Sequence, residues 1–447
     1  MSTRLAPPTP LAPLRTVRLA AAGLALIAVC YGLARFAYGL FVPVFRTEFD
    51  LDGSQVGLIG SASYAAYCVA ICAAMMLAPR WGGRAVAVMA GVAATLGIGL
   101  VGASQGPAML SIGVILAGAS TGMVSPPLAF AVAKRVEARR QDRVQAIINA
   151  GTGLGVALSG PVALLTLDHW RGAWLVFTVI AAATTVWAAC VVPDSRTEPE
   201  ERTPGSPAAA RGSTGRLVPA PLLPPGAMRL LLSAGLAGMS TTAVWVFGRD
   251  VLTQVGGISD VAATLTWSLL GAAGLLGAGV GDLVRRVGPR GAWVLITGLL
   301  AASTAVFGVV PGELLPVVVA ASAFGAAYIA MTGLLLINGV AVYSGHPSAG
   351  VGLAFLVLAL GQSVGGAVLG RLMEAADAET AFLAAAGLAL LCALMPPVPT
   401  SVLVSMPAAA SHERVRGPGH GQWPERGGTI GSQASRSNGG ESDGERP

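Results

Sequence analysis

Long apolar runs alternate with short polar connections over most of the chain. A helix that crosses a membrane needs about 20 predominantly apolar residues, and twelve runs of roughly this length can be found. In order they cover residues 17–45, 54–78, 84–104, 107–133, 143–167, 172–192, 228–252, 260–283, 291–311, 313–343, 350–371 and 379–400. The pattern predicts an all-α integral membrane protein with twelve transmembrane helices.

Two polar segments interrupt this pattern. Residues 193–227 are rich in proline, arginine and acidic residues, and residues 403–447 are rich in glycine, serine, arginine and glutamate. Such compositions are typical of flexible linkers and disordered tails. The predicted organisation is a cytoplasmic N-terminal tail, a six-helix bundle, a cytoplasmic linker, a second six-helix bundle and a disordered cytoplasmic tail, over residues 1–16, 17–192, 193–227, 228–402 and 403–447.

The composition supports a membrane location. Hydrophobic residues make up 54% of the 447 residues and charged residues only 11%, whereas soluble proteins contain about 25% charged residues. The net charge of +6 does not indicate a nucleic-acid-binding protein, because the basic residues lie between the apolar runs.

The basic residues predict the orientation in the membrane, since cytoplasmic loops carry an excess of lysine and arginine. With the N-terminus inside, 23 of the 28 lysines and arginines fall in cytoplasmic segments. Both termini are therefore predicted to be cytoplasmic.

One short sequence occurs twice, after the second run of each half. Residues 77–84 read Leu-Ala-Pro-Arg-Trp-Gly-Gly-Arg, and residues 283–290 read Leu-Val-Arg-Arg-Val-Gly-Pro-Arg. Leucine, arginine, glycine and arginine recur at one spacing, which indicates internal duplication. Duplicated halves with a binding site between them are a common construction of transporters.

These loops resemble the cytoplasmic signature of the major facilitator superfamily, Gly-x-Leu-x-Asp-Arg-x-Gly-Arg-Arg. The first copy departs from it, since Met75 replaces the opening glycine and Pro79 the aspartate. The resemblance implies two six-helix bundles. It also implies an aspartate that helps to lock the two halves in one state; because Pro79 replaces that aspartate, the lock must be formed differently here, and Asp282 is a candidate substitute. The loop residues expected to act in the conformational change are Arg80, Gly82, Arg84, Asp282, Arg286, Gly288 and Arg290.

Two other segments narrow the resemblance. Residues 32–43 look like the first helix of a little-characterised bacterial branch of the superfamily, and residues 169–174 resemble the start of its sixth helix. That branch implies no defined substrate.

Arg35 is the charged residue that lies deepest in a predicted span. A charge at the bilayer centre costs at least about 2.5–3.5 kcal/mol and usually faces a cavity or a partner. One interpretation is that Arg35 binds a carboxylate in a central cavity, because its planar guanidinium suits bidentate binding. The alternative is a structural arginine that binds the carbonyls of a neighbouring helix end.

Other polar and aromatic residues in the spans are candidates for lining the cavity, although membrane aromatics often face lipid or pack between helices. Asn149 and Gln362 stand out, because an amide in hydrocarbon needs a partner. The candidates are Tyr31, Tyr38, Tyr64, Tyr67, Asn149, Trp245, Trp267, Tyr328, Asn338 and Gln362.

The spans of the first half contain no acidic residue apart from the loop margins. This weakens proton coupling and the binding of cationic drugs, both of which usually use a carboxylate. Asp250, beside Arg249, is the candidate in the second half; the alternative is an Arg-Asp pair at the membrane interface.

Nothing in the sequence indicates catalysis. The stretches 97–102 and 118–122 match dinucleotide-binding and nucleophile-elbow patterns, but both lie inside predicted membrane spans. The four histidines and five cysteines form no cluster at metal-ligand spacing. We therefore expect no enzyme, no cofactor and no metal site.

The sequence as a whole predicts a secondary transporter of the plasma membrane. We expect a monomer that moves a small organic anion or neutral metabolite by alternating access, with a coupling ion such as a proton. The alternatives are a proton-coupled multidrug exporter and a membrane sensor that signals through its cytoplasmic tail.

Overall fold

The computed structural model describes residues 12–166, 169–194, 223–343 and 347–396, which all belong to one compact unit. Most of the predicted linker and the whole predicted C-terminal tail lie outside these residues. The α-helices are α1 Pro13–Ile27, α2 Ala37–Phe49, α3 Gly53–Trp81, α4 Gly83–Gly102, α5 Pro107–Arg135, α6 Ala138–Asn149, α7 Gly151–Leu165, α8 Trp170–Val191, α9 Ala227–Thr242, α10 Gly248–Asp250, α11 Asp260–Gly274, α12 Val280–Val309, α13 Leu314–Val342, α14 Pro347–Ala375 and α15 Ala378–Ala393.

Within the described residues, ten helical stretches are long and apolar enough to cross a membrane. The ten differ from the predicted twelve at two places. The predicted spans 260–283 and 291–311 lie in one helical stretch of 50 residues, Asp260–Val309, and the last apolar helix, Ala378–Ala393, has only 16 residues. The chain is thus an all-helical, multi-pass membrane protein.

The glycines of the two repeated loops share one backbone conformation. Gly82 has φ 88° and ψ 152°, and Gly288 has φ 75° and ψ 164°. Residues with a Cβ atom rarely adopt positive φ, whereas glycine does so readily. The glycine therefore recurs in both copies because both loops turn the chain in the same way.

Polar residues at the loops begin several helices. The side chain of Asp52 accepts a hydrogen bond from the Gln55 backbone N–H (2.6 Å), and Gln55 accepts one in return from the Asp52 N–H (3.0 Å), which forms a capping box. Asp377 accepts from the Thr380 N–H at 2.7 Å, and this bond lowers the pKa of its carboxyl group. These caps satisfy N–H groups that a helix start leaves without partners.

The described residues before 195 (the first half) and after 222 (the second half) pack against each other along two helix pairs. Helix α3 packs on α14, and α7 packs on α11. A methyl group at Gly57 would overlap the carbonyl oxygen of Gly366, and one at Gly160 would overlap the Ser268 hydroxyl. Small residues let the helix backbones of the two halves approach closely.

The two ends of the helix assembly differ in charge. One end, here called the ion-pair end, holds Arg46, Gly53, Asp250 and Glu374, and the Gly53 N–H donates to the Glu374 carboxylate across the halves. The opposite, basic end holds Arg80, Arg84, Lys134 and Arg135. There Arg84 donates to the Val192 carbonyl at 2.6 Å.

Glycine contacts within the first half predict a stability difference. In Gly155→Ala the new methyl group would overlap the Ala28 carbonyl oxygen, whereas a methyl group at Gly298 meets no atom within 4 Å. We expect Gly155→Ala to lower the free energy of unfolding by about 1–3 kcal/mol. The matched change Gly298→Ala should instead raise it by about 0.5–1 kcal/mol, because alanine favours a helix interior.

Thermal unfolding of the purified protein in detergent measures both changes. A Gly155→Ala protein as stable as Gly298→Ala would contradict the close approach of α7 to the first helix.

Candidate functional site

The first helices of the two halves contain π-helical segments, Ala28–Phe36 and Ala243–Phe247. Such segments insert an extra residue per turn and are frequent at functional sites. The two segments meet where the rings of Phe36 and Trp245 stack at 3.9 Å between centroids, 28° from parallel. The site is built around this contact.

Arg35 lies beside the ring stack and is only 7% exposed. Its Nη2 donates to the Gln362 Oε1 at 2.7 Å, and its guanidinium carbon lies 4.3 Å from the ring centroid of Tyr64 and 4.7 Å from that of Tyr67. Cation–π contacts with these tyrosines contribute about 0.5–2 kcal/mol each. All of these partners are neutral.

Arg35 has no negatively charged partner among the residues that the structure describes. Its Nε is also buried without a hydrogen-bond partner in that part of the chain. Buried charges are normally paired with opposite charges. The guanidinium can therefore accept an anion from outside the chain.

Gln362 connects Arg35 to the aromatic side of the site. Its side chain is 1% exposed, and its Nε2 lies 3.4 Å from the Tyr328 hydroxyl, a long hydrogen bond. The Tyr328 ring packs edge-on against Trp245 at 5.1 Å. These contacts form one row across the two halves. Arg35 belongs to the first half, and the second half supplies Gln362, Tyr328 and Trp245.

The structure brings together six residues of the predicted set: Arg35, Tyr64, Tyr67, Trp245, Tyr328 and Gln362. Trp267 adjoins them, edge-on to Trp245 at 5.7 Å. Sequence reasoning missed Phe36, although its position next to Arg35 could have suggested it.

Four other predicted residues, Tyr31, Tyr38, Asn149 and Asn338, lie elsewhere. The Tyr31 hydroxyl pairs with Ser125 at 3.2 Å, and Tyr31 packs against the buried cluster that contains Tyr67 and Cys68. Tyr38 donates to the Val56 carbonyl at 3.0 Å.

Asn149 is exposed at the end of α6. It accepts a hydrogen bond from Gln145 at 3.1 Å. Asn149 thus lies apart from the Arg35 cluster, although it falls within the apolar stretch Arg143–Leu165, and its part in binding a solute stays a prediction. Asn338 is buried in α13 and donates to the Leu334 carbonyl at 2.8 Å.

The crevice beside Trp245 is small. It lies between α7, α11 and α13, and its volume of about 10 Å³ is close to that needed by one water molecule. A larger solute can reach this part of the site only if the two halves separate.

The ion-pair end holds a second charged cluster. Asp250, 1% exposed, accepts from Arg46 of the first half at 2.6 Å. Its neighbour Arg249 donates to Asp260 at 2.6 Å. Asp250 thus forms an Arg-Asp pair whose hydrogen-bonded partner is Arg46, and not the adjacent Arg249. The Arg46–Asp250 pair joins the two halves.

The residues of the repeated loops make mostly local contacts. Asp282 pairs with Arg285 one helical turn away, both exposed, and Arg80, Arg286 and Arg290 are exposed at the protein surface. Within the described residues, Asp282 forms no ion pair with the first half, so its substitution for the missing lock aspartate stays a prediction.

The sequence profile of the Major Facilitator Superfamily matches residues 24–344. Human "Monocarboxylate transporter 11" is 27% identical over 83% of this chain and 80% of its own length. The "Hexuronate transporter" of Bacillus subtilis (strain 168) is 26% identical over 42% of this chain and 44% of its own length.

A solved structure shows the same fold. The nucleoside transporter NupG (D323A mutant) superposes with a TM-score of 0.68 and 13% sequence identity, over 86% of this chain and 99% of that chain.

The uncompensated charge of Arg35 predicts how new carboxylates affect stability. In Gln362→Glu the new carboxylate faces a guanidinium, whereas in Asn338→Asp it replaces an amide that donates to the Leu334 carbonyl oxygen. An ion pair about 4 Å apart gains about 4 kcal/mol at an effective dielectric constant of 20. We expect Gln362→Glu to be more stable than Asn338→Asp by at least about 2 kcal/mol.

Denaturant or thermal unfolding of both variants in detergent tests this expectation. Equal losses of stability would mean that Arg35 already has a negative partner.

Proposed function

Because the chain belongs to the major facilitator superfamily, we propose that it is a secondary transporter of small organic anions that carry a carboxylate. The observation that carries this proposal is the buried guanidinium of Arg35, whose hydrogen-bond partner is the neutral amide of Gln362. The carboxylate of the transported solute supplies the missing negative charge.

The magnitude of the interaction favours an anion over a neutral solute. At about 4 Å and an effective dielectric constant near 20, a carboxylate gains about 4 kcal/mol from a guanidinium. A neutral acceptor forms a hydrogen bond worth about 0.5–1.5 kcal/mol. The names of two relatives agree with this choice, since monocarboxylates and hexuronates both carry a carboxylate.

We propose that the described helices make twelve membrane crossings, arranged as two bundles of six. The stretch Asp260–Val309 has 50 residues and would be about 75 Å long as one helix, against a hydrocarbon core of about 30 Å. The positive φ of Gly288 falls within it, and we propose that the chain turns there and crosses twice. We assign Ala378–Ala393 as the last crossing.

We place the basic end in the cytoplasm of a plasma membrane, in accordance with the positive-inside rule. Both termini are then cytoplasmic. The site uses residues of both halves of one chain, so a monomer contains everything that the proposed mechanism needs.

Transport proceeds by alternating access, in which the halves rock about the site. This structure represents a state closed at the ion-pair end, held by Arg46–Asp250 and by the glycine contacts between α3 and α14. Opening that end breaks the ion pair and separates Arg35 from Gln362, which frees the guanidinium for the solute. A gradient of the solute or of a coupling ion such as a proton drives the cycle.

Arg35→Gln tests the anion site. Loss of the charge should weaken the binding of gluconate, a simple carboxylate probe, by roughly a hundredfold, or about 2.7 kcal/mol. Arg35→Lys keeps the charge but loses the planar fork and should have an intermediate effect. Titration calorimetry with the purified full chain gives the dissociation constants.

Arg171→Gln is the matched control, because Arg171 forms an exposed ion pair with Glu48 away from the site. It should leave gluconate binding unchanged. If lipophilic cations bind instead, and bind equally to wild type and Arg35→Gln, the chain is a drug exporter and the anion proposal fails.

The Arg46–Asp250 pair predicts a shift in conformation. Asp250→Asn removes a buried charge-assisted bond worth about 1.5–3 kcal/mol, so the ratio of closed to open molecules at the ion-pair end should fall at least about tenfold. Spin labels at the exposed positions Gln105 and Ala376, one in each half, report the separation. The exposed Cys72 and Cys190 are first replaced by serine.

Glu48→Gln, which removes an ion pair within the first half, should leave the label distances as in wild type. The double exchange Arg46→Asp with Asp250→Arg should restore the closed population. Unchanged distances in Asp250→Asn would show that the ion pair does not hold this end closed.

A further inference from the structure

Two buried indole N–H groups lie beside the proposed anion site without any acceptor. The Nε1 atoms of Trp245 and Trp267 are buried, and neither donates a hydrogen bond within the part of the chain that the structure describes. Trp293, also buried in the second half, does donate to the Cys392 carbonyl at 2.8 Å. Buried Trp N–H groups usually find a partner. Among the described residues, Trp170 and Trp174 also lack one, but their rings pack on Phe45 within the first half, whereas Trp245 and Trp267 adjoin the proposed site.

Both tryptophans lie where the two halves meet. Trp245 stacks on Phe36 of the first half. The end of the Trp267 ring lies 3.0 Å from the position that a Cβ atom would take at Gly39. Separation of the halves therefore exposes both rings to an entering solute.

The Trp245 ring lies close to Arg35, and the Trp267 ring lies next to Trp245. The Arg35 guanidinium carbon is 5.3 Å from the Phe36 ring centroid, and the Trp245 centroid is 3.9 Å from it. Arg35 and the Trp245 ring are thus no more than about 9 Å apart, with Trp267 next in the row at 5.7 Å.

We propose that Trp245 and Trp267 form a second subsite, in which their N–H groups donate to oxygen atoms far from the carboxylate of the solute. The transported class is then an oxygen-rich acid, such as a polyhydroxylated or oxo-carboxylic acid, and not an unsubstituted fatty acid. A site with donors placed for such oxygens rejects an analogue that lacks them, because the donors stay buried and unpaired. This inference rests on the proposed carboxylate site at Arg35.

Two acids of six carbons separate the alternatives. Gluconate carries hydroxyl groups along its chain, and hexanoate carries none. Each indole hydrogen bond should favour gluconate by about fivefold, so wild type should bind gluconate about 25-fold more tightly than hexanoate. Calorimetric titration of the purified full chain gives the ratio of the two dissociation constants.

Trp245→Phe and Trp267→Phe remove the N–H group and keep an aromatic ring. Each should lower the gluconate preference to about fivefold while leaving hexanoate binding unchanged, and that unchanged binding also shows that the variant is folded. Trp174→Phe is the matched control. The Trp174 N–H is also buried without a partner in the described chain, but its ring contacts are with Phe41, Phe45 and Phe177 of the first half.

Equal binding of the two acids by wild type, or equal weakening of both acids by the Trp→Phe changes, overturns the subsite. Failure of the anion site itself gives other results. In that case neither acid binds, or the Arg35→Gln protein binds both acids as tightly as wild type does.

Discussion

The centre of this protein depends on one constraint: the buried positive charge of Arg35 has no negatively charged partner among the described residues. Two tyrosine rings and one amide pack around its guanidinium, but none of them carries a negative charge. In hydrocarbon such an arrangement is costly. It is understandable as part of a cycle in which an anion periodically occupies the site, and the amide of Gln362 takes its place when the site is empty.

The first helices of both halves depart from α-helical geometry where the halves meet. Phe36 and Trp245 lie within the π-helical segments Ala28–Phe36 and Ala243–Phe247, and their rings stack on each other. Arg35 and Trp245 therefore reach one small region from opposite halves. Because the proposed site is divided between the halves, a movement that separates them would separate Arg35 from Gln362 and Trp245.

The contacts between the halves are of two kinds with different consequences. Glycine contacts such as Gly57 with Gly366 depend on close approach and are lost completely when the helices part. The Arg46–Asp250 pair can exchange its partner for water, because the Arg46 side chain is 31% exposed. Close glycine packing together with one partly exposed ion pair suits the proposed transport cycle, in which the interface between the halves closes and opens again.

The sequence by itself determined the membrane location, the helical class and the family, because apolar run length and loop motifs are local properties of the chain. It also identified Arg35, Gln362 and the aromatic residues Trp245 and Tyr328, since polar or aromatic residues in apolar runs are conspicuous. It grouped Asn149 with these residues, because an apolar run cannot show that one side chain lies apart from the others. Only the tertiary structure decided that Arg46, and not Arg249, pairs with Asp250, and that Phe36 belongs to the site. These pairings join residues more than 200 positions apart, and no local pattern records which side chains meet when helices pack.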